Sequence, residues 1–166
     1  MKIDRHTEYS VFAPFEAMVS EADMARLKAK AVSDRFGDGG FYGMTVGQLT
    51  TVLSGDVRPL YDSGGRTVFD VMRVTAFKEW VDEFCAALKG LTLPPTAESV
   101  RLSAGTRGST FEESVYLFTR SYFGLPSFEA ADGVRVSEYL LARKDDYNRQ
   151  VAERNAAAMA RKGGSR

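Results

Sequence analysis

The chain has very little of the residue chemistry on which most enzymes and metal proteins depend. Its 166 residues include one histidine, His6, and one cysteine, Cys85. Two such residues far apart in the sequence form no metal-binding pattern and no Cys–His nucleophile pair unless the N-terminal segment folds back. A lone cysteine cannot form an internal disulfide, so nothing indicates an oxidising compartment. We therefore expect no catalytic residue, no metal ion and no cofactor.

Long hydrophobic runs and an excess of either charge are also missing. No stretch approaches the roughly 18 apolar residues of a membrane helix, and the first 15 residues carry both charge signs where a signal peptide would have an apolar core. Twenty-two basic residues balance 22 acidic ones, so no overall field steers the chain to nucleic acid. We expect a cytoplasmic protein that does not associate with membranes.

The apolar residues that are present recur mostly at helical spacing. The strongest pattern covers 67–89, where Phe77, Val81 and Phe84 follow one another at intervals of three or four. A helix that is apolar over so wide an arc belongs at the centre of a core. Because a chain of this length usually makes one domain, we predict an all-α fold: a single compact domain of five or six helices, with a long C-terminal helix over 134–161.

Cap and turn residues predict where the helices begin and end. Proline suits the first turn of a helix, so the first helix is placed from Pro14 to Phe36, before a glycine cluster. Thr45 and Gln48 form a capping box for a short second helix. Two registers are open for the helix over 110–123, namely Ser109 with Glu112 and Thr110 with Glu113. Residues 96–102 are a candidate short helix. No strand run is convincing, and the best strand candidates are the short segments VRPLY (57–61) and SVRLS (99–103).

The C-terminal 30 residues, SEYLLARKDDYNRQVAERNAAAMARKGGSR, keep strong helix formers after the large apolar residues run out. Beyond Val151 the only large apolar side chain is Met159, and basic residues outnumber acidic ones. This divides the chain into an irregular N-terminal arm (1–13), a helical domain (14–151) and a basic helical or disordered tail (152–166). Either the tail is a fraying, solvated helix end, or its alanine face or its arginines contact another protein.

Two aromatic stretches and the basic tail contain the candidate partner-binding residues. Aromatic and arginine side chains carry most of the energy in protein interfaces. The candidate anchors are therefore Phe41 and Tyr42 in the stretch FYGM, Phe123 and Phe128 in the stretch SYFGLPSF, and Arg154 and Arg161 in the tail. The alternative for the aromatic residues is that they pack one helix end against another, which is their commoner role.

Two segments resemble small helical proteins of bacteriophage structural gene clusters, namely tail-assembly chaperones and connector or accessory virion proteins. They are MTVGQLTTVLSGD (44–56) and SEYLLARKDDYNRQVAERNAA (137–157), with a compact helical middle between them. The resemblance implies a non-catalytic protein that binds other structural subunits, as a homo-oligomer or with different proteins, in the host cytoplasm or in the virion.

Two other functions are left open by the sequence. A nucleic-acid-associated accessory protein would use the basic C-terminal tail, and its binding would weaken steeply with salt. An enzyme would need carboxylates that converge in a pocket, and adjacent pairs such as Asp145 and Asp146 point to different sides of a helix. The favoured hypothesis is a structural or assembly protein that acts through protein–protein contacts.

Overall fold

The computed structural model describes residues 9–62, 67–105 and 108–164, and for residues 9–12 and 103 it describes the backbone alone. Within these ranges the chain is a single all-α domain, as predicted. Two 3-10 turns, Gly40–Gly43 and Arg58–Leu60, lie in the connections. The α-helices are α1 Tyr9–Glu16, α2 Glu21–Phe36, α3 Val46–Leu53, α4 Val68–Gly90, α5 Ala97–Ser103, α6 Phe111–Phe123, α7 Phe128–Asp132 and α8 Val136–Gly163.

Hydroxyl side chains cap most of these helices at their N-termini. In each case the side-chain oxygen accepts a hydrogen bond from the amide three residues further on, which satisfies one of the free N–H groups of the first turn. The capping residues are Ser20, Thr45, Thr67, Thr96, Thr110 and Ser127. The box of Thr45 with Gln48 is confirmed. Of the two registers open for α6, the structure has Thr110 with Glu113.

The first predicted helix is divided into two, so the described residues contain more helices than the five or six predicted. The prediction of an irregular N-terminal arm is wrong for residues 9–13, because α1 begins at Tyr9 and Pro14 lies inside this helix. Residues 1–8 of the predicted arm lie outside the described residues. The break follows Glu16, since Ser20 starts a new helix by accepting from the Asp23 amide at 3.3 Å. The single turn α7 accounts for the other additional helix.

Neither of the two weak strand candidates forms a strand, and the candidate helix over 96–102 is confirmed as α5. In the segment 57–61 a 3-10 turn forms at Arg58–Leu60, since Pro59 holds the backbone in a turn conformation. The segment 99–103 belongs to α5, because Thr96 caps a helix there. Within the described residues the only β-type pairing is an isolated antiparallel bridge between Thr45 and Arg135.

Helix α4 lies at the centre of the core, as its pattern predicts. Phe77, Val81 and Phe84 on this helix are buried. Trp80 stacks on Phe84 with ring centroids 4.7 Å apart, and Phe41 meets Phe77 edge to face at 5.4 Å. Buried apolar side chains of the other elements surround α4: Val32, Met44, Val46, Leu49, Val52, Leu53, Leu60, Val115, Val136 and Tyr139. Each buried side chain of this kind contributes about 1.5–3 kcal/mol to folding.

A buried network centred on Arg73 joins α4 to α2 and to Asp62 before α4. Arg73 is only 2% exposed, and its Nη1 donates to Asp70 Oδ1 at 2.7 Å. Its guanidinium also donates to Asp62 and to the Ala31 carbonyl oxygen of α2. Since a buried charge is tolerated only when it is paired and hydrogen-bonded, this network fixes the position of α2 on α4.

The isolated bridge holds the starts of α3 and α8 together. The amide of Val46 donates to the Val134 carbonyl oxygen at 2.7 Å, and the amide of Val136 donates to the Met44 carbonyl oxygen at 2.8 Å. Both amides belong to first helical turns, where N–H groups have no partner within their own helix. Each helix therefore supplies part of the N-terminal cap of the other.

From this anchored start, α8 runs past the domain and leaves it. Arg143 lies over the ring of Phe118 at 5.0 Å and donates to Thr92 Oγ1 at 3.2 Å. Val151 is the last half-buried residue, and residues 152–164 are all exposed. The described part of the tail is thus helical as far as Gly163, and it makes few contacts with the rest of the domain.

A candidate protein-binding surface on α6 and α7

Phe41 and Tyr42, the first pair of candidate anchors, lie in the aromatic cluster of the core. Phe41 is 4% exposed and contacts Phe36, Phe77 and Trp80, so its prediction as a partner-binding residue is wrong. Its 3-10 turn places the ring between α2 and α4. Tyr42 is half-buried and meets Trp80 edge to face at 5.4 Å. This stretch therefore has the alternative role considered for it, which is packing helices together.

Phe123 and Phe128, the second pair, are exposed. Phe123 ends α6 and is 39% exposed, with its ring perpendicular to that of Tyr122. Phe128 begins α7 and is 47% exposed. Between them the chain reverses at Gly124, whose φ of +62° is a left-handed conformation that glycine adopts without strain. This turn lays α7 back against α6.

An apolar groove lies between α6 and α7, and we call it the α6–α7 groove. It has a volume of about 480 Å³ and is lined by Glu113, Tyr116, Leu117 and Phe128. Leu117 is 49% exposed and lies on the outer face of α6, which it shares with the charged residues Glu113 and Arg120. Two half-exposed large apolar side chains, Leu117 and Phe128, therefore stand around one concave surface.

Hydrogen bonds and ring contacts hold the walls of the groove in place. The hydroxyl of Tyr116 donates to Asp132 Oδ1 at the end of α7 and lies 2.8 Å from Thr50 Oγ1 of α3. Burial, followed by the hydrogen bond to Asp132, raises the pKa of Tyr116, so this hydroxyl remains a donor at neutral pH. The ring of Phe128 meets that of Tyr116 at 6.1 Å, and Arg120 lies over its other side at 5.2 Å. The walls of the groove are therefore held by contacts within the chain itself.

The segment that carries the groove is acidic. Carboxylates stand in the first turns of both helices and at the end of α7, opposed by one arginine. They are Glu112, Glu113, Glu129 and Asp132, and the arginine is Arg120. A cationic partner is favoured at such a surface, because complementary charge steers association and excludes partners of like charge.

Sequence reasoning missed two wall residues of the groove, Tyr116 and Leu117. Leu117 could have been found from the helical pattern, since it is an apolar residue four positions after Glu113 and three before Arg120, on the polar face. Tyr116 gives no comparable signal. Its role depends on Asp132 and Phe128, which reach it only because α7 folds back on α6.

Two arginines of α8, Arg149 and Arg154, have partners within the chain. Arg154 donates to the Pro94 carbonyl oxygen at 3.0 Å, so this candidate anchor contacts its own domain. Arg149 bonds to Asp146 and to Glu153. Arg161, the other candidate anchor, lies in the exposed last turn of α8.

The face of the tail opposite Arg154 carries a row of exposed residues, which we call the tail stripe. It consists of Ala152, Ala156, Met159 and Ala160, at the spacing i, i+4, i+7 and i+8 that places residues on one helix face. Met159, its one large side chain, is 76% exposed. The tail therefore presents a narrow apolar face with one long side chain.

A second groove, of about 410 Å³, lies between α2 and α4 beside the turn at Gly40–Gly43. Two of its charged residues bond to each other, with Lys28 Nζ 3.0 Å from Glu79 Oε1, and Asp38 accepts from the Ser33 hydroxyl. Its aromatic walls, Phe41 and Trp80, already pack into the core. This groove is therefore built partly from side chains that already pack in the core.

Reactive chemistry is sparse in the part of the chain that the structure describes. Cys85 is half-buried, and burial together with the nearby charge of Asp82 raises the pKa of its thiol, which disfavours the nucleophilic thiolate. Among the described residues no three His, Cys, Asp or Glu side chains form a group able to hold a metal ion. His6 lies outside the described residues. None of the described helices is long and apolar enough to cross a membrane.

Comparison of the chain with protein-family models, with curated proteins and with solved structures gives no match.

Proposed function

We propose that the protein is a non-catalytic structural or assembly protein that works by binding other protein subunits through the α6–α7 groove. The observation that carries this proposal is the half-exposure of Leu117 and Phe128 on either side of a groove whose wall, Tyr116, is already fixed. A preformed apolar site binds without the entropic cost of ordering its own walls.

The shape of the groove supports a macromolecular partner rather than a small substrate. Enclosed small-molecule sites bury most of their ligand and add a few converging polar groups. In this groove the polar groups are the carboxylate of Glu113, which caps α6 by accepting from the Thr110 amide at 3.0 Å, and the Tyr116 hydroxyl, which is bonded to Asp132. With its polar groups engaged, the site offers mainly apolar contact along an open surface.

The contacts of the tail disfavour the nucleic-acid alternative. A nucleic-acid site needs cations that are available to phosphates. In α8, Arg149 is engaged by two carboxylates and Arg154 by a carbonyl oxygen of its own domain. The resemblance of 44–56 and 137–157 to phage structural proteins makes virion assembly our proposed setting for the protein contacts.

Site-specific photo-crosslinking tests the proposed function. A photoreactive phenylalanine analogue is introduced at position 117, in the cells that naturally produce the chain, and illuminated. The matched control carries it at position 100, where Val100 is exposed to a similar degree on α5, outside the groove. We expect discrete protein adducts from position 117 alone. The proposal is wrong if position 117 gives no adduct or if both positions give the same set.

A further inference from the structure

We infer that the partner of the α6–α7 groove is a helical segment of another protein, which carries a large apolar side chain with a lysine or arginine three or four residues away. This inference rests on the proposed function, because it names the kind of partner that the groove binds. It is built from the charges around the groove, from the spacing of Glu113 and Leu117 on α6, and from the hydrogen bonds of the groove's walls.

The carboxylates around the groove keep their negative charge. Within the described chain four of them have no cation at ion-pair distance: Glu112, Glu113, Glu129 and Asp132. Glu113 accepts from a backbone amide and Asp132 from the hydroxyl of Tyr116, and these neutral donors leave the charge in place. Many carboxylates elsewhere are paired with cations of the chain: Asp23, Asp34, Asp56, Asp62, Asp70, Glu79, Asp146 and Glu153. At the groove, a cation has to come from a partner.

The same charge disfavours other classes of partner. Four carboxylates against the single Arg120, which lies over the ring of Phe128, leave the segment 111–132 with a net charge of −3. Nucleic acids and anionic membrane surfaces are repelled by such a segment. A second copy that presented this same surface would bring like charges together, which is costly at an interface.

A helix suits the groove better than an extended peptide does. An extended peptide brings backbone N–H and C=O groups that the site must satisfy, as the edge of a sheet does. The described residues contain no named strand to supply such an edge. Glu113 is bonded in its own cap, and the hydroxyl of Tyr116 is bonded to Asp132. A helix satisfies its backbone internally and offers its side chains alone.

The spacing of Glu113 and Leu117 sets the pattern that the partner presents. Both residues line the groove, and four positions on α6 separate them by about 6 Å, or one turn. When an apolar side chain of the partner lies between Leu117 and Phe128, a cation one turn away on the partner helix meets Glu113. The buried apolar side chain supplies most of the affinity, and the ion pair fixes the direction of the helix.

Replacement of Glu113 by glutamine isolates the charge from the fold. Glutamine is as suitable as glutamate in a capping box with Thr110, so Glu113→Gln removes the charge and keeps the start of α6. Glu138→Gln is the matched control, because Glu138 accepts from the Arg135 amide at 3.0 Å in the same position of α8, outside the groove. Both variants should keep the melting temperature of the wild type.

Two synthetic peptides are the probes, and the full-length protein is titrated with each by NMR. Both are alanine-based helices with one leucine, flanked four residues away on each side by lysines in one peptide and by glutamates in the other. We expect the lysine peptide to shift the signals of Leu117 and Phe128 and to bind about tenfold more tightly than the glutamate peptide. Glu113→Gln should weaken binding of the lysine peptide about two- to fivefold and Glu138→Gln should not, because an exposed ion pair contributes about 0.2–1 kcal/mol. Salt at about 1 M should remove the difference.

The inference is overturned if the glutamate peptide binds as tightly as the lysine peptide, if neither binds, or if the two variants have the same effect. The adducts from position 117 give a second readout, since the peptide joined to the probe can be sequenced. A basic helical segment of another protein supports the inference. An acidic segment, or a segment of a second copy of this chain, overturns it and leaves the proposed function standing. The absence of any adduct refutes the proposed function, and the inference with it.

Discussion

Replacement of Asp70 by asparagine is expected to lower the free energy of unfolding by about 3–5 kcal/mol, the range for removing one partner of a buried ion pair. Asp70 is fully buried and accepts three hydrogen bonds. Its Oδ1 accepts from the Asp62 amide at 3.1 Å and from Arg73 Nη1 at 2.7 Å, and its Oδ2 accepts from the Thr67 amide at 3.0 Å. An asparagine has one oxygen for these three donors.

The cost follows from how the amide must be placed. If the Asn oxygen faces Arg73, its NH₂ group faces the Thr67 amide, and a hydrogen bond is replaced by two opposed donors. Hydrogen bonds to charged groups contribute about 1.5–3 kcal/mol each, and here one is lost while the other two lose the carboxylate charge. Arg73 keeps Asp62 as a partner, which limits the loss.

Thermal and urea unfolding measure this effect, with Asp34→Asn as the matched control. Asp34 pairs with Lys30 at 2.9 Å on the surface of α2, and an exposed pair of this type contributes about 0.3–0.5 kcal/mol. For a chain of this size, a loss of about 3–5 kcal/mol lowers Tm by roughly 10 °C. Our account of the ion pair is refuted if the two variants lose the same stability, or if Asp70→Asn costs less than about 1 kcal/mol.

The acid limb of the stability curve gives an independent check. Burial alone would raise the pKa of Asp70, but the hydrogen bonds from Thr67 and Asp62 and the charge of Arg73 outweigh it and hold the pKa below the ordinary 3.8. The unfolded chain therefore takes up this proton more readily, and the contribution of Asp70 is complete above pH 3.8 and lost as the pH falls through the lowered value. The stability difference between wild type and Asp70→Asn should accordingly shrink below pH 4.

Three further outcomes are expected. Gly43→Ala should destabilise the fold strongly, because the new Cβ would lie 2.3 Å from the Phe36 carbonyl oxygen. Gly133→Ala is the control, since its Cβ would meet nothing within 4 Å and its φ of −79° is helical. Urea unfolding should show an unchanged free energy of unfolding for this control, or a gain of about 0.4–1 kcal/mol. Phe84→Ala should cost about 3–5 kcal/mol and shift the fluorescence of the single tryptophan that stacks on it. In the folded protein, Cys85 should react with a thiol reagent at pH 8 more slowly than a free thiol does, because burial raises the pKa of its thiol. In denaturant the rate should rise to that of a free thiol.

The helices could be predicted where their determinants are local. The cap at Thr45 and the apolar rows of α4 lie within a few positions of what they control, and the structure has them as predicted. For α6 the structure has Thr110, one of the two cap registers that the sequence leaves open. The break before α2 was also readable, because Ser20 and Asp23 form a cap of the same type. Pro14 misled the prediction, because a proline suits a first turn and here lies inside α1 instead.

The candidate site could be predicted only in part, because burial depends on distant residues. Phe41 and Phe128 both follow turn residues and look alike in sequence. Phe41 is buried because α2 and α4 leave room for its ring, and Phe128 remains half-exposed because Tyr116 and Arg120 cover only part of it. The space between α2 and α4 and the packing of α7 on α6 are set by contacts across the fold, which no local pattern encodes.

The bridge between Thr45 and Arg135 also constrains the order in which the chain completes its structure during synthesis. Until Val134 has been synthesised, the amide of Val46 lacks its native carbonyl partner, and only the local capping box of Thr45 with Gln48 can hold the first turn of α3. Closing a loop of this length is entropically costly and slows folding relative to a bundle stabilised by neighbouring helices. The contact between the starts of α3 and α8 therefore forms only after both segments have been synthesised, although α3 lies early in the chain.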